Sequence, residues 1–489
     1  MKTLNIQKYT TFWKVPKLEK FKFYKLENFL SVTDFQTKEK VPYAYFENES
    51  SYRFPLIPEE KLLSFFNKEF IDPVISTMPP FPYRRMRTEI QMKNQPKDDI
   101  QREAIDKIIS GFTTKRLNRV VVSLATGRGK TYVATNVISQ LNVRAIIFVK
   151  NVLLRDQWYS SFLTHSTCKD ICVVTKTDML FDLMETDDLP DVTILTHRSM
   201  GEFIKRTSMR DVGKLFIKLG IGMKVYDEFD LENASMFRLD CNTAIKYNMY
   251  LSATDFKSGK GENKIFLSIF SDALNVGKEY NIVVPRLAKF VMYHSHPTRR
   301  EIGLCNTYTM EGPVFNYKKY HEYVVNKGAY IEPLQDIWDN IISKRFYDKD
   351  NHLKTVFFIG RINTAEKFRE QLKSVSGLSG KDIAILNSET PKKDRDKEMS
   401  KKLIISTTDS MGRGLDLKGL DTVVDFETRN SVSVTKQVVG RVSRSGMKNV
   451  GTYIQFVDRG FPVPLRNYLT KLRDGVFNEE FTDTEELKY

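Results

Sequence analysis

Glycine, a basic residue, glycine, lysine and threonine occur close together in "SLATGRGKTYVAT" (123–135), between an apolar run and a stretch with helical spacing. Residues of these types in this order can cradle a phosphate. Backbone N–H groups of a glycine loop close on phosphate oxygens, and a following helix N-terminus adds its dipole. On this reading Thr126, Gly127, Arg128 and Gly129 form the cradle, Lys130 reaches the β- and γ-phosphates, and the Thr131 hydroxyl ligates Mg²⁺. Leu124 stands where the eight-residue form of the motif begins with glycine, and the loop alone would also suit a surface turn. "KVYDEFD" (224–230) supplies a second half to the chemistry. Asp227 and Glu228 close an apolar run, so Asp227 can hold Mg²⁺ through water while Glu228 orients and polarises an attacking water. Paired acids are usually a solvated strand end. Placed downstream of a phosphate loop, these two read as the catalytic pair of a nucleoside triphosphatase.

Such residues need a scaffold that brings them to one edge. Short apolar runs alternate with longer helical patterns, the signature of parallel sheets with crossover helices. One set is "RVVVSLA" (119–125), "RAIIFV" (144–149), "DICVVT" (170–175), "DVTILT" (191–196), "GMKVYDE" (222–228) and "YNMYLSA" (247–253). A second is "KTVFFIG" (354–360), "DIAILNS" (382–388), "KLIISTT" (402–408), "DTVVDFE" (421–427) and "GTYIQFV" (451–457). The expectation is an α/β chain with two tandem parallel-sheet domains, 95–275 and 276–489, behind a small N-terminal region, 1–94. The last residues, "FNEEFTDTEELKY", read as a short acidic tail or frayed helix.

Composition narrows the class. An apolar fraction of 41% and an aromatic fraction of 12% over 489 residues are those of a folded, multi-domain chain. No run approaches the roughly 20 apolar residues that span a bilayer, and the first residues lack the apolar core of a signal peptide. Cys168, Cys172, Cys241 and Cys305 suggest reduced thiols rather than a disulfide framework or zinc site, hence a cytoplasmic setting. The net charge of +15 points to a polyanionic partner, nucleic acid before membrane, although solubility alone would also use it.

Motif after motif then resembles superfamily 2 helicases across residues 95 to about 460. "IQREAI" (100–105) resembles the glutamine motif, which implies that Gln101 reads adenine, although Ile100 replaces the usual aromatic residue before it. "ATGRGKT" (125–131) matches motif I, "VKNVLLRDQW" (149–158) resembles motif Ia, "YDEFD" motif II and "SAT" (252–254) motif III. "FFIGRINTAEKF" (357–368), "STTDSMGRGLDL" (406–417) and "QVVGRVSRSG" (437–446) resemble motifs IV, V and VI. The resemblance implies two RecA-like domains working with ATP and Mg²⁺. Gly414, Asp416 and Gln437 would lie on the nucleotide side, and Ser252 and Thr254 would couple hydrolysis to movement. Arg441 and Arg444, one helical turn apart, would act on the γ-phosphate as arginine fingers. For the strand track it points to Lys150, Asn151, Arg155, Thr196, Arg361, Thr407 and Thr408, because tracking a backbone needs hydroxyls, amides and cations.

Within the superfamily, Gln437 and the Gln157–Trp158 ending look less like DEAD-box RNA helicases than like DNA translocases, including the phage UvsW-type recombination helicases and their RecG- and XPB-like relatives. That resemblance implies a monomeric motor on branched DNA (forks, D-loops, Holliday junctions) in replication, recombination or repair. An RNA helicase and the motor of a restriction-type complex are the alternatives. In the N-terminal region Phe12, Trp13, Phe21, Phe23 and Tyr24 interleave with Lys14, Lys17, Lys20, Lys22 and Lys25. They suit either a small core with solvated lysines or a duplex contact extended by Arg84, Arg85 and Arg87.

Overall fold

The Val-Val-Val and Ile-Ile-Phe runs are β-branched or aromatic and leave no polar face, so they belong in strands covered on both sides. A computed structural model of the chain describes residues 2–33, 40–42, 46–47, 51–124, 128–229, 232–252, 267–277, 286–309, 312–348, 353–387, 390–408, 417, 419–427, 435, 438–439, 442, 450–477 and 481–489. They form two compact units, Met1–Asn281 and Ile282–Tyr489.

The first unit holds a seven-stranded parallel sheet in the spatial order Ile171–Val173, Val192–Thr196, Ala145–Val149, Met223–Asp227, Tyr247–Ser252, Arg119–Ser123 and Leu274–Val276. Alternation along the strands splits the core in two. Val120, Val122, Ile147, Val149 and Val225 join the cluster that includes Val133, Val137 and Ile138 of the helix Lys130–Leu141. Val121, Ile146, Phe148, Tyr226 and Tyr250 pack on the other face.

That second face is shared with the N-terminal region. Its five-stranded sheet runs Phe46–Glu47, Ser51–Pro55, Phe12–Pro16, Lys2–Lys8 and Ile71–Thr77. Trp13, Phe54 and Phe66 are buried in the same cluster as Phe148 and Tyr250. Phe12 and Trp13 are therefore core, whereas Tyr24 is exposed. Lys25 pairs with Glu69 at 2.7 Å. The side chains of Lys20, Phe21, Lys22 and Phe23 lie outside the described residues.

Polar contacts fasten the same seam. Arg119, which opens the strand leading into the phosphate loop, is buried and donates from Nη1 to the carbonyls of Leu56 (3.0 Å) and Ile269 (2.9 Å). Thr11 Oγ1 donates to the Asp240 carbonyl at 2.8 Å.

The proline-rich connector then straps the base of the parallel sheet. Phe81 N donates to Ala244 O (2.7 Å) and Arg84 N to Gly220 O (2.9 Å), while Arg144 N donates to Arg84 O (3.1 Å). Arg87 is engaged by Asp170 (2.5 Å) and Asp188 (2.6 Å), and Arg84 packs over Gly220. These two arginines hold the strap to the protein.

The second unit has its own seven-stranded parallel sheet, ordered Ile383–Ile385, Leu403–Ser406, Lys354–Phe358, Leu420–Asp425, Gly451–Asp458, Arg286–Tyr293 and Asp483–Lys488. The fold is thus α/β with two RecA-like parallel sheets, as the pattern indicates. The acidic end corrects the expectation of a frayed helix or tail. Asp483–Lys488 is an edge strand, held by parallel pairing to Arg286–Tyr293 rather than by apolar alternation of its own. No helix among the described residues is long and apolar enough to cross a membrane. The four cysteines are free.

Candidate nucleotide site and strand track

The loop between the strand Arg119–Ser123 and the helix Lys130–Leu141 carries the first cluster of predicted residues. Gly129 caps the helix at φ +82°, a left-handed conformation that suits glycine. A Cβ there would sit 2.3 Å from Gln101 Nε2. Gln101 is buried, and its side chain braces the loop. Nε2 donates to the Arg128 carbonyl at 2.9 Å and Oε1 accepts from Lys97 N at 3.0 Å. Gln101 N in turn donates to Asp98 Oδ1, the cap of the helix Asp99–Thr113.

Lys130 Nζ donates to the Leu124 carbonyl at 3.0 Å, so it already points back along the loop. The departure at Leu124 also has a packing reason. Its side chain is fully buried and lies where a Cβ on Gly277 would come within 2.8 Å of it.

Strand register brings the second cluster to the same edge. Asp227 is level with Leu251, Leu251 with Val122, and Ser252 with Ser123. The phosphate loop, the acid pair and Ser252 therefore share the C-terminal edge of one parallel sheet, where doubly wound folds bind ligands. Asp227 and Ser252 are buried. Trp158 Nε1, on the helix Val152–His165, donates to Asp227 Oδ2 at 2.8 Å. Glu228 is also buried and holds φ +52°, strained for a residue with a Cβ. Backbone held this way next to a candidate catalytic acid is consistent with a functional turn.

The donors suit a hard cation. A threonine hydroxyl and a carboxylate fit Mg²⁺, which keeps waters and phosphate oxygens for the rest of its shell. No group of three or more His, Cys, Asp or Glu side chains able to hold a metal gathers among the described residues.

A buried polar network supports the acid pair from behind. Asp240 Oδ1 lies 2.5 Å from Lys224 Nζ and accepts from Tyr226 OH at 2.9 Å, and Asp240 Oδ2 accepts from Tyr250 OH at 2.7 Å. Burial pushes the Lys224 ammonium down while Asp240 opposes that shift. His197 stacks on Tyr226 with ring centroids 5.8 Å apart, and burial lowers its pKa to about 4. Sequence reading missed Trp158, Lys224, Asp240 and His197 in these roles. Their partners lie 10 to 69 positions away, beyond local spacing, and only the Gln157–Trp158 ending of the stretch 149–158 hinted at one of them.

The strand-track candidates divide. Lys150 is half-buried at the C-terminal end of the strand Ala145–Val149. Asn151 caps the helix Val152–His165, its side chain accepting from Leu154 N at 2.9 Å. Thr196 caps the helix His197–Arg206 through Ser199 N at 3.1 Å. Both mark helix N-termini at the same sheet edge. Arg155 is different. It is buried, with Nη1 on the Val174 carbonyl (3.0 Å) and Nη2 on Asp156 (3.0 Å), so it ties its helix to the sheet. In the second unit Arg361 and Thr407 follow adjacent strands, and Arg361 pairs with Glu322 at 2.6 Å. Thr408 is buried and donates to Glu427 at 2.7 Å. Thr126, Gly127, Thr254, Gly414, Asp416, Gln437, Arg441 and Arg444 lie outside the described residues.

Comparison with known proteins bears on the family and the fold. Residues 96–254 match the family of the type III restriction enzyme, res subunit, and residues 335–446 match the helicase conserved C-terminal domain. The transcript termination protein A18 of Yaba-like disease virus is 26% identical over 368 residues, 70% of this chain and 68% of its own length. The A18 protein of Vaccinia virus (strain Ankara) is 23% identical over 380 residues, 73% of this chain and 70% of its own. Among solved structures, S. cerevisiae Dbp5 bound to RNA and ADP BeF3 aligns with a TM-score of 0.53 over 80% of this chain and 89% of its own, at 14% identity. That last likeness is one of fold. These two curated relatives are poxviral transcript termination proteins and do not point specifically to UvsW- or RecG-type enzymes. Two helicase halves in order, each on a RecA-like sheet, make this chain a member of the superfamily 2 helicases, an ATP-dependent motor.

Proposed function

We propose that the motor tracks along one strand of DNA and uses the pull to displace a strand annealed to it. The observation that carries this reading is the shared sheet edge. The braced phosphate loop, the buried Asp227–Glu228 pair and two helix N-termini capped by Asn151 and Thr196 all open on it. Lys130 and Thr131 bind the nucleotide, Asp227 holds Mg²⁺, and Glu228 polarises the attacking water. Arg441 and Arg444 stabilise the charge that develops on the γ-phosphate. Lys150 and the capped N-termini meet the backbone of the strand, with Arg361 and Thr407 serving the second unit. The Gln157–Trp158 ending and the Gln437 opening favour DNA, and branched DNA is the substrate we infer.

A second reading draws on the A18 relatives, whose name describes transcript termination. There the displaced strand would be an RNA annealed to the DNA. One assay separates the two: ATPase and strand-displacement rates on matched single-stranded DNA, duplex, fork, four-way junction, RNA–DNA hybrid and RNA. Displacement from forks and junctions supports the first reading, and displacement confined to the hybrid supports the second. Stimulation by RNA alone would overturn DNA as the track.

A further inference from the structure

The contact between Trp158 and Asp227 joins two elements with different tasks. Asp227 ends its strand as a buried carboxylate, and a buried charge needs donors to replace the water it has lost. Trp158 provides one, an indole N–H at 2.8 Å on Oδ2. Because that nitrogen can only donate, Oδ2 is the acceptor, and the bond fixes the orientation of the carboxylate. Trp158 is itself fully buried, tilted against Phe162 at 6.3 Å between ring centroids, so the donor has little room to turn away.

The helix that carries Trp158 starts at Asn151, next to Lys150, at the sheet edge where the strand is proposed to run. One turn before Trp158, Arg155 fixes the same helix to the Val174 carbonyl. Trp158 thus lies about two turns along a helix whose N-terminus faces that edge, and its indole reaches the carboxylate at the end of the neighbouring strand.

We propose that Trp158 is a positioning residue that orients Asp227 for Mg²⁺ and makes metal binding responsive to the nucleic-acid strand. This rests on the reading of Asp227 as the magnesium carboxylate. Trp158→Phe keeps a ring in the core and removes only the donor. The Mg²⁺ concentration that supports half-maximal binding of fluorescent (mant-labelled) ADP should rise about 10- to 100-fold, the loss of one hydrogen bond to a charged group. Affinity for the nucleotide without Mg²⁺ should stay as it was. Phe162→Leu disturbs the same core and leaves the hydrogen bond intact, so it should leave the Mg²⁺ requirement in place.

A spectroscopic measurement on the unsubstituted chain decides the matter even if Trp158→Phe does not fold. The chain has 3 tryptophans, Trp13, Trp158 and Trp338. With 5-fluorotryptophan incorporated and resonances assigned through Trp13→Phe and Trp338→Phe, adding Mg²⁺ to the ADP-saturated protein should move the Trp158 signal and leave Trp13 in place. Adding single-stranded DNA should move it again. A Trp158 signal indifferent to Mg²⁺, or an equal rise in Mg²⁺ requirement for Phe162→Leu, overturns the proposal. Asp227→Asn separates this from failure of the underlying reading. If it leaves the Mg²⁺ dependence of ADP binding unchanged, Asp227 is not the magnesium carboxylate at all.

Discussion

Holding Glu228 at φ +52° costs on the order of 1–2 kcal/mol, which the surrounding sheet must supply. The residue most strained near the site is also the one expected to polarise water. Glu228→Gln keeps the shape and removes the base, so ATP hydrolysis should fall about 10²- to 10⁴-fold while nucleotide and DNA affinity persist. Steady-state ATPase beside mant-ADP titration checks this, and normal turnover would remove Glu228 from the chemistry. Lys130→Ala should lose nucleotide affinity as well, because it removes the cation that meets the phosphates. Gly129 has the opposite kind of constraint. Gly129→Ala adds a methyl 2.3 Å from Gln101 Nε2 at a left-handed φ. It should cost about 1–2 kcal/mol of stability, read as a lowered thermal midpoint, and loosen the bond from Gln101 to the Arg128 carbonyl. An unchanged midpoint and unchanged ADP affinity would mean that Gln101 does not brace the loop.

At the scale of elements, the central strands were legible because their residues are apolar on both faces, which leaves no other place for them. The acid pair was legible for a related reason, since two carboxylates at the end of such a run must face the sheet edge. Other elements have no such signature. Asp483–Lys488 is a strand only because Arg286–Tyr293 offers backbone partners. Arg119 and Asp240 look like ordinary charges in sequence, yet both are buried, Arg119 bonded to carbonyls 63 and 150 positions away and Asp240 to Tyr250 on a strand of the sheet. His197 shows how such burial can be tested. Its folded pKa is lowered to about 4 by desolvation, against an ordinary value near 6.5. The unfolded chain therefore takes up a proton that the folded chain refuses. Stability from this group is complete above about pH 6.5 and is lost as pH falls toward 4, by roughly 3 kcal/mol over the interval. His197→Phe should flatten that part of the profile. Thermal midpoints from pH 7 to pH 4 check it, and parallel curves for the two proteins would count against a neutral buried imidazole.

The whole chain divides at 281/282 rather than after its N-terminal sheet. Trp13 and Phe54 share a core with Phe148 and Tyr250, and the strap from Phe81 to Met92 closes the base of the parallel sheet. Removing residues 1–94 would thus uncover part of a face that the helices His197–Arg206 and Met209–Leu219 also cover, so the deletion should lower the thermal midpoint or cause aggregation. Cutting at the natural boundary asks a cleaner question. Residues 1–281 contain the braced loop, Asp227 and Glu228, whereas Arg441 and Arg444 belong to residues 282–489. If the arginines act mainly on transition-state charge, fragment 1–281 should bind mant-ADP with Mg²⁺ nearly as the full chain does. Its hydrolysis in the presence of DNA should be slower by about 10³- to 10⁵-fold, the range for a missing arginine finger. Arg441→Ala in the full chain should reproduce much of that loss with the second unit still attached. Full-rate, DNA-stimulated hydrolysis by fragment 1–281 would mean that one sheet edge completes the reaction, and that the second unit serves movement along the strand and not the chemistry.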